Sequence, residues 1–204
     1  MIRLKLISDF SVIIPFLLGM YVRYNRWYEQ DLKVFIRFIA IATAVTIMQY
    51  MSEWIFGDSV IISHLYTPIE GGFLFYFLIY NIEKRVAFRV SIGIAIICEA
   101  LDLIYSAMNE LEIYASIFEY IVLAMMSMFA LRNIVLTTTK YPLKNYKYLI
   151  VIFILLYALV SLESALLMIS NAAAGYYIYA ATNLIINIFY AISLWVYVWV
   201  SKPL

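Results

Sequence analysis

Apolar residues fill most of this chain in long runs, and short polar segments separate one run from the next. About 20 apolar residues are needed for a helix to cross ~30 Å of bilayer hydrocarbon. The pattern therefore predicts an all-α, polytopic membrane protein, a bundle of seven transmembrane helices forming one domain over 1–204. The predicted spans are 7–24, 34–56, 60–81, 86–107, 113–135, 147–169 and 175–200.

The distribution of basic residues predicts how the bundle is oriented. Cytoplasmic loops of membrane proteins carry an excess of Lys and Arg. Of the 14 basic residues, all but Arg3 and Lys5 fall on the side that holds the C-terminal tail. We therefore expect the N-terminus outside and the C-terminus in the cytoplasm, in a multi-pass protein of the cell's inner (cytoplasmic) membrane. The first run resembles a signal peptide but lacks a small-residue cleavage site, so we expect a retained helix.

Composition narrows the class of protein and of partner. The chain is 66% hydrophobic and only 13% charged, whereas soluble domains are about 45–50% apolar and about 25% charged. A net charge of +1 does not suggest a nucleic-acid partner, and membrane lipids are the expected surroundings. The single cysteine, Cys98, excludes an internal disulfide and a cysteine-based metal cluster.

Six acidic residues lie inside the second to sixth predicted spans, all toward the predicted outer side, and the first span adds Asp9 near its outer end. A carboxylate in hydrocarbon costs roughly 2.5–3.5 kcal/mol on insertion scales, so each should face a polar interior, a partner or water. Asn183 and Asn187, four residues apart in the last span, lie at the same predicted depth as these acids. The predicted ligand-binding site comprises Glu53, His64, Thr67, Glu70, Glu99, Asp102, Glu119, Glu163, Asn183 and Asn187.

Two explanations of this acidic layer stay open at the level of sequence. No Lys or Arg lies at that depth, and His64 near the outer mouth is the only candidate cation. Carboxylates packed together in a desolvated site cannot all stay ionised. Either some are protonated and hydrogen-bond to neighbouring amides and tyrosines as interhelical glue, or a bound cation, cationic ligand or water compensates them.

The third predicted helix has an unusual local sequence, His64-Leu65-Tyr66-Thr67-Pro68-Ile69-Glu70-Gly71-Gly72. Proline removes a backbone donor and pushes on the preceding turn, so the helix can kink or open here and line a cavity. The alternative is a static kink whose glycines let a neighbour pack closely. Pro15 in the first helix predicts a weaker kink of the same kind.

Several established chemistries do not fit the sequence. A retinal pigment needs a membrane-buried lysine, and the last helix has none before Lys202. A single histidine argues against catalytic zinc, although a hard cation held by carboxylates remains possible. No nucleotide-binding or hydrolase motif is present, so an enzyme is the less favoured interpretation and we expect no organic cofactor. Glu99 and Asp102 would be the candidate pair for carboxylate-dependent hydrolysis.

Four short motifs lie in the spans: Ser8-Asp9-Phe10 with Pro15, Glu53, Tyr66-Thr67-x-x-Glu70 and Asn183-x-x-x-Asn187. Together they resemble those of a group of small, uncharacterised seven-helix membrane proteins of Bacteroidota-type bacteria. This resemblance implies the topology and no activity. The helix arrangement is also similar to that of the transporter–opsin–receptor group, in which Glu53 and Glu163 would occupy matching places.

We therefore expect an outward-facing acidic pocket that binds a cation or a small polar or cationic ligand, in a transporter or receptor-like sensor. The short cytoplasmic loops would require a receptor to signal through a membrane or signalling protein partner. Two other classes remain: a membrane-embedded, carboxylate-dependent lipid hydrolase, and a non-catalytic subunit of a larger membrane complex.

Overall fold

Every regular element in the described part of the chain is helical, as the apolar runs predict. The computed structural model describes residues 2–25, 29–57, 60–82, 89–91, 93–94, 96–97, 100, 113–137 and 142–200. A short 3-10 turn, Pro142–Lys144, precedes the sixth helix. The α-helices are α1 (Ile2–Phe10), α2 (Ile13–Asn25), α3 (Gln30–Phe56), α4 (Val60–Ile82), α5 (Ile113–Thr137), α6 (Tyr146–Ser170) and α7 (Ala172–Val200).

Five helical segments are long and apolar enough to cross a membrane, which indicates a helical membrane protein. In α4, the apolar stretch Ile69–Ile82 is shorter. Most of the predicted fourth span, 86–107, lies outside the described residues, so the count of seven spans stays a prediction. The five candidate spans are Leu6–Tyr24, Leu32–Phe56, Ser116–Thr137, Tyr146–Ser170 and Ala173–Val200.

The first predicted span is interrupted between α1 and α2, just before Pro15. Pro15 has no N–H to donate to the carbonyl of Ser11, four residues earlier. The N–H of Ile14 bonds that carbonyl instead, at 3.1 Å. The Ser11 hydroxyl turns back to the carbonyl of Ser8. Where the sequence predicts a weak kink, the structure therefore has a turn between two helices.

Contacts near the helix ends define the two ends of the bundle. Glu29 and Lys147 form an ion pair that joins the starts of α3 and α6. Tyr146 and Tyr197 pack edge to face, with ring centroids 5.0 Å apart, so α7 ends at this same end. We call it the basic end, because it carries Arg23, Lys33, Arg132, Lys144 and Lys147. The other end, where α3 stops at Phe56, is the Glu53 end.

The described helices close into a ring. Each of α3 to α7 packs against the next, and α7 packs against α1 and α2, which complete the circle at α3. The Asn133 amide donates to the carbonyl of Asn81, which places the final turns of α4 and α5 together and makes these two neighbours parallel. The ring has an interior, and its contents decide what the protein can do.

Aromatic rings fill the middle of that interior. Phe35 is 2% exposed and packs edge to face on Tyr190, at 5.0 Å between centroids, and against Phe77 at 5.5 Å. Phe38 continues the cluster toward Phe73. These rings lie between the basic end and the part of the interior nearer the Glu53 end. We call Phe35, Phe38, Phe73, Phe77 and Tyr190 the aromatic floor.

Candidate functional site

A cavity of about 360 Å³, the first cavity, lies above the aromatic floor between α1, α3, α4, α6 and α7. One face of α3 lines it from Phe38 to Glu53, and one face of α7 lines it from Tyr176 to Tyr190. At ~1.5 Å per residue, each face covers about 20 Å along the helix axis. Phe38 is buried and Glu53 is exposed. The first cavity is therefore a deep recess that opens at the Glu53 end.

Acidic and amide side chains surround the mouth of the first cavity. Asp9 at the end of α1 accepts a hydrogen bond from the Tyr50 hydroxyl, at 2.9 Å. The neighbouring Phe10 ring packs on Tyr50, with centroids 4.9 Å apart, and so fixes α1 against α3. Gln49 and Glu53 lie on the same face of α3 as Tyr50. This arrangement gives the entrance a negative charge.

The two asparagines of α7 fasten one wall of the cavity to α1 and the turn that follows it. Asn187 donates to the hydroxyl of Ser11 at 2.8 Å, and Asn183 donates to that of Ser8 at 3.2 Å. The break before Pro15 presents both serine hydroxyls to α7. The asparagine amides are thus partly committed to holding the wall in place.

We expect Asn187→Ala to destabilise the protein moderately, by about 0.6–1.7 kcal/mol, because interhelical hydrogen bonds in membranes have about that strength. Asn187 is 6% exposed, and alanine at this position leaves the Ser11 hydroxyl without its donor from α7. Urea or thermal unfolding in detergent measures the change. Thr43→Ala is the control, since the Thr43 hydroxyl bonds only within its own helix, to the Ile39 carbonyl. An equal loss in both variants would contradict the role of Asn187 between helices.

Glu70 of α4 lies deeper, where the first cavity meets a second. The second cavity, of about 340 Å³, lies between α4, α5, α6 and α7. Glu70, Tyr157, Tyr176 and Tyr179 line both. Among the described residues, no side chain donates a hydrogen bond to the Glu70 carboxylate, and no Lys or Arg lines either cavity. Its carboxyl group therefore faces the two cavities and not a partner in the described protein.

Tyrosines surround Glu70 on the α5, α6 and α7 sides. The Tyr157 hydroxyl is within hydrogen-bonding reach of those of Tyr120 and Tyr179. The rings of Tyr120 and Tyr157 also pack edge to face, with centroids 6.0 Å apart. Glu70 is close enough to all three, and to Tyr190, to interact with them electrostatically. The Glu70 carboxylate is therefore surrounded by tyrosine hydroxyl groups and aromatic rings.

Glu119 of α5 approaches this centre through a gap that Gly71 provides. A Cβ atom on Gly71 would lie 2.7 Å from Oε1 of Glu119, so only glycine leaves room for the carboxylate. The helix itself is continuous from Val60 to Ile82, without the opening at Pro68 that the sequence allows. Gly71 therefore fits the alternative interpretation of the sequence, in which a glycine of this helix lets a neighbouring helix pack closely.

No protein-family model matches this chain, and neither a curated protein nor a solved structure is significantly similar to it. What the protein does must therefore be inferred from the geometry of its two cavities.

The structure brings together five of the ten residues predicted as a ligand site. Glu163, by contrast, is exposed on α6 and is not among the residues that line the cavities. His64 and Thr67 belong to α4, but their side chains lie outside the described part of the structure, as do Glu99 and Asp102 entirely. The five residues that line a cavity are Glu53, Glu70, Glu119, Asn183 and Asn187.

The predicted site omits Asp9, which the sequence places only near the outer end of the first span, and it omits the cavity tyrosines. Tyrosine is common at membrane interfaces, so its presence near a helix end does not distinguish a cavity wall from an interfacial belt. One signal was available. Along α7, tyrosines recur with the two asparagines at spacings of three and four, which places them on one helix face. That face is Tyr176, Tyr179, Asn183, Asn187 and Tyr190.

Proposed function

We propose that this protein is a multi-pass protein of the cytoplasmic membrane whose first cavity binds a small organic cation, an ammonium compound, from the outside. It acts as a transporter or a receptor-like sensor for that ligand. The observation that carries the proposal is the Glu70 carboxylate, which has no hydrogen-bond donor among the described residues and faces a recess with an aromatic lower wall.

Charge, shape and chemistry all favour an ammonium ligand. The described lining contains carboxylates and no basic residue, so it attracts positive charge. Aromatic faces such as Phe38 and Tyr190 bind organic cations through their quadrupoles. A volume of about 360 Å³ is typical of a small-molecule site.

We assign the membrane orientation from the distribution of basic residues. Basic residues gather at one end of the bundle, which we assign to the cytoplasm by the positive-inside rule. The Glu53 end then faces outward, and with it the mouth of the first cavity. The parallel course of α4 and α5 supports a further crossing between them, as a seven-span topology requires.

Titration calorimetry in detergent tests the ligand class. A series of primary to quaternary ammonium compounds, choline among them, is compared with the neutral isostere of each. We expect saturable binding of at least one cation and binding of its isostere weaker by roughly 30-fold or more, since a desolvated charge pair is worth about 2–5 kcal/mol. Equal affinity for cation and isostere would contradict the proposal.

Uptake into proteoliposomes separates the two modes of action. A transporter must open a path through the aromatic floor to the basic end, so it accumulates the labelled ammonium compound that binds in detergent. A sensor binds the same compound with the same dependence on Glu70 but produces no uptake.

A further inference from the structure

The second cavity contains a buried hydroxyl group that the protein itself does not satisfy. Ser161 of α6 is 1% exposed, lines this cavity and has no hydrogen-bond partner for its Oγ atom. Buried side-chain oxygens nearly always have a partner, and an exception requires an explanation. The neighbouring Ser164 differs, because its hydroxyl donates to the carbonyl of Gly175. Ser161 is therefore a residue of the cavity wall whose oxygen has no partner in the described protein.

The other polar atoms of this cavity are also oxygens. Glu119 brings a carboxylate from α5, Ser116 brings a hydroxyl from the same helix, and Tyr120 brings a phenol. Glu70 closes the side shared with the first cavity. The described lining contains no basic residue. Carboxylate and hydroxyl oxygens in a partly desolvated site are ligands for a hard cation.

We propose that the second cavity is a separate binding site for a monovalent inorganic cation such as Na⁺, held by Glu119 and Ser161. Glu70 is shared with the first cavity, and Glu119 is the one carboxylate that lines the second cavity alone, so a single positive charge balances it beside the neutral hydroxyls. A divalent ion usually requires several carboxylates, and the described residues contain no group of three acidic or histidine side chains at metal-binding distance. Gly71 belongs to this site indirectly, because it makes room for the Glu119 carboxylate.

The proposal goes beyond the ammonium site and can fail independently of it. Glu119 and Ser161 line the second cavity and not the first. Their substitution therefore removes the inorganic ion without removing the walls that the organic ligand contacts. Glu70 lines both cavities and is left unchanged in this test.

Binding of ²²Na⁺ to the purified, immobilised protein tests the proposal, with ⁸⁶Rb⁺ as a second monovalent probe. We expect saturable binding of at least one probe, displaced by its unlabelled salt at constant ionic strength. Glu119→Gln and Ser161→Ala should each weaken it by at least ~10-fold, as expected when a charged group or its partner is lost.

Ser127→Ala is the matched control for Ser161→Ala. Ser127 is also a fully buried serine without a hydrogen-bond partner for its Oγ, but it lines neither cavity. Its substitution should leave cation binding unchanged. The melting temperature of the same samples in detergent shows that each variant is folded, and ammonium binding is measured on them without Na⁺.

Three outcomes would overturn the proposal: binding of neither probe, binding that survives in both cavity variants, or displacement by Ca²⁺ alone. If ammonium binding persists in those cases, the inorganic site is refuted and the proposed function stands. If Na⁺ binds as expected and no ammonium compound does, the proposed function is refuted and the second site stands.

Discussion

Replacing Glu70 by glutamine is expected to weaken binding of the organic ammonium ligand by about 2–5 kcal/mol, at least roughly 30-fold in Kd. The melting temperature in detergent should change little. Glutamine keeps the size of the side chain and removes the charge. No described side chain donates a hydrogen bond to the Glu70 carboxylate, so the substitution breaks no such bond. Binding loss without stability loss therefore separates a ligand site from interhelical glue.

Glu29→Gln is the matched control for this substitution. Glu29 lies at the basic end, far from the first cavity, and pairs with Lys147 at an exposed position. Exposed ion pairs contribute at most about 1 kcal/mol, so both binding and folding should be nearly unchanged. The account of Glu70 would be contradicted by normal ligand affinity in Glu70→Gln, or by a variant that fails to fold, which favours the glue alternative.

Gly175→Ala is expected to cause the largest loss of stability, at or above the upper end of the ~1–3 kcal/mol range for overpacking. A Cβ atom at this position would lie 2.7 Å from the carbonyl oxygen of Ser164 and 2.9 Å from the backbone nitrogen of Met168. Backbone atoms of α6 cannot move aside without separating two helices. Small residues permit such close helix contacts in membranes. Thermal and urea unfolding in detergent measure the effect.

Gly71→Ala provides the comparison, since it is the same substitution at another tightly contacted glycine. Its added methyl group meets the flexible end of Glu119 instead of backbone. We expect a loss below about 1 kcal/mol, together with displacement of the Glu119 carboxylate and weaker binding of the monovalent cation. Equal destabilisation by the two substitutions would contradict the distinction between backbone and side-chain contacts.

The sequence predicts the helices well because the bilayer sets their length. The predicted spans 34–56, 60–81 and 113–135 differ by only a few residues from α3, α4 and α5. Which face of each helix points inward is harder to predict, since lipid-facing and core-facing residues are both apolar. Polar residues carried that information, and Glu70, Asn183 and Asn187 lie on a cavity wall.

Glu163 marks the limit of this reasoning. Its position inside an apolar run suggests an inward carboxylate, because an acid facing lipid is costly. In the structure it lies on the exposed face of α6, on the side opposite the buried Ser161 and Ser164. Hydropathy along a helix indicates how deep a residue lies in the bilayer, but not whether its side chain faces lipid or the interior of the bundle. That orientation depends on how neighbouring helices pack.

The second cavity could not be predicted because it depends on contacts between distant parts of the chain. Glu119 and Glu70 line the same cavity, and the Glu119 carboxylate lies against Gly71 of α4, where a larger residue would meet it. Tyr157 lies between Tyr120 and Tyr179, which come from helices on either side of it. No local pattern in the sequence records those three-helix relationships.

Thiol labelling in sealed, right-side-out membrane vesicles tests most directly whether the first cavity is polar and open to the exterior. On a background in which Cys98→Ala removes the native thiol, Thr46→Cys places a probe on the cavity wall, about 15 Å from the end of α3. Ala44→Cys places a second probe on the exposed face of α3 that points away from the first cavity. We expect a membrane-impermeant quaternary ammonium thiol reagent to label the first and not the second, and a bound ammonium ligand to slow that labelling. Labelling of Thr46→Cys only after the vesicles are permeabilised, or at neither position, would contradict an outward-facing cation site.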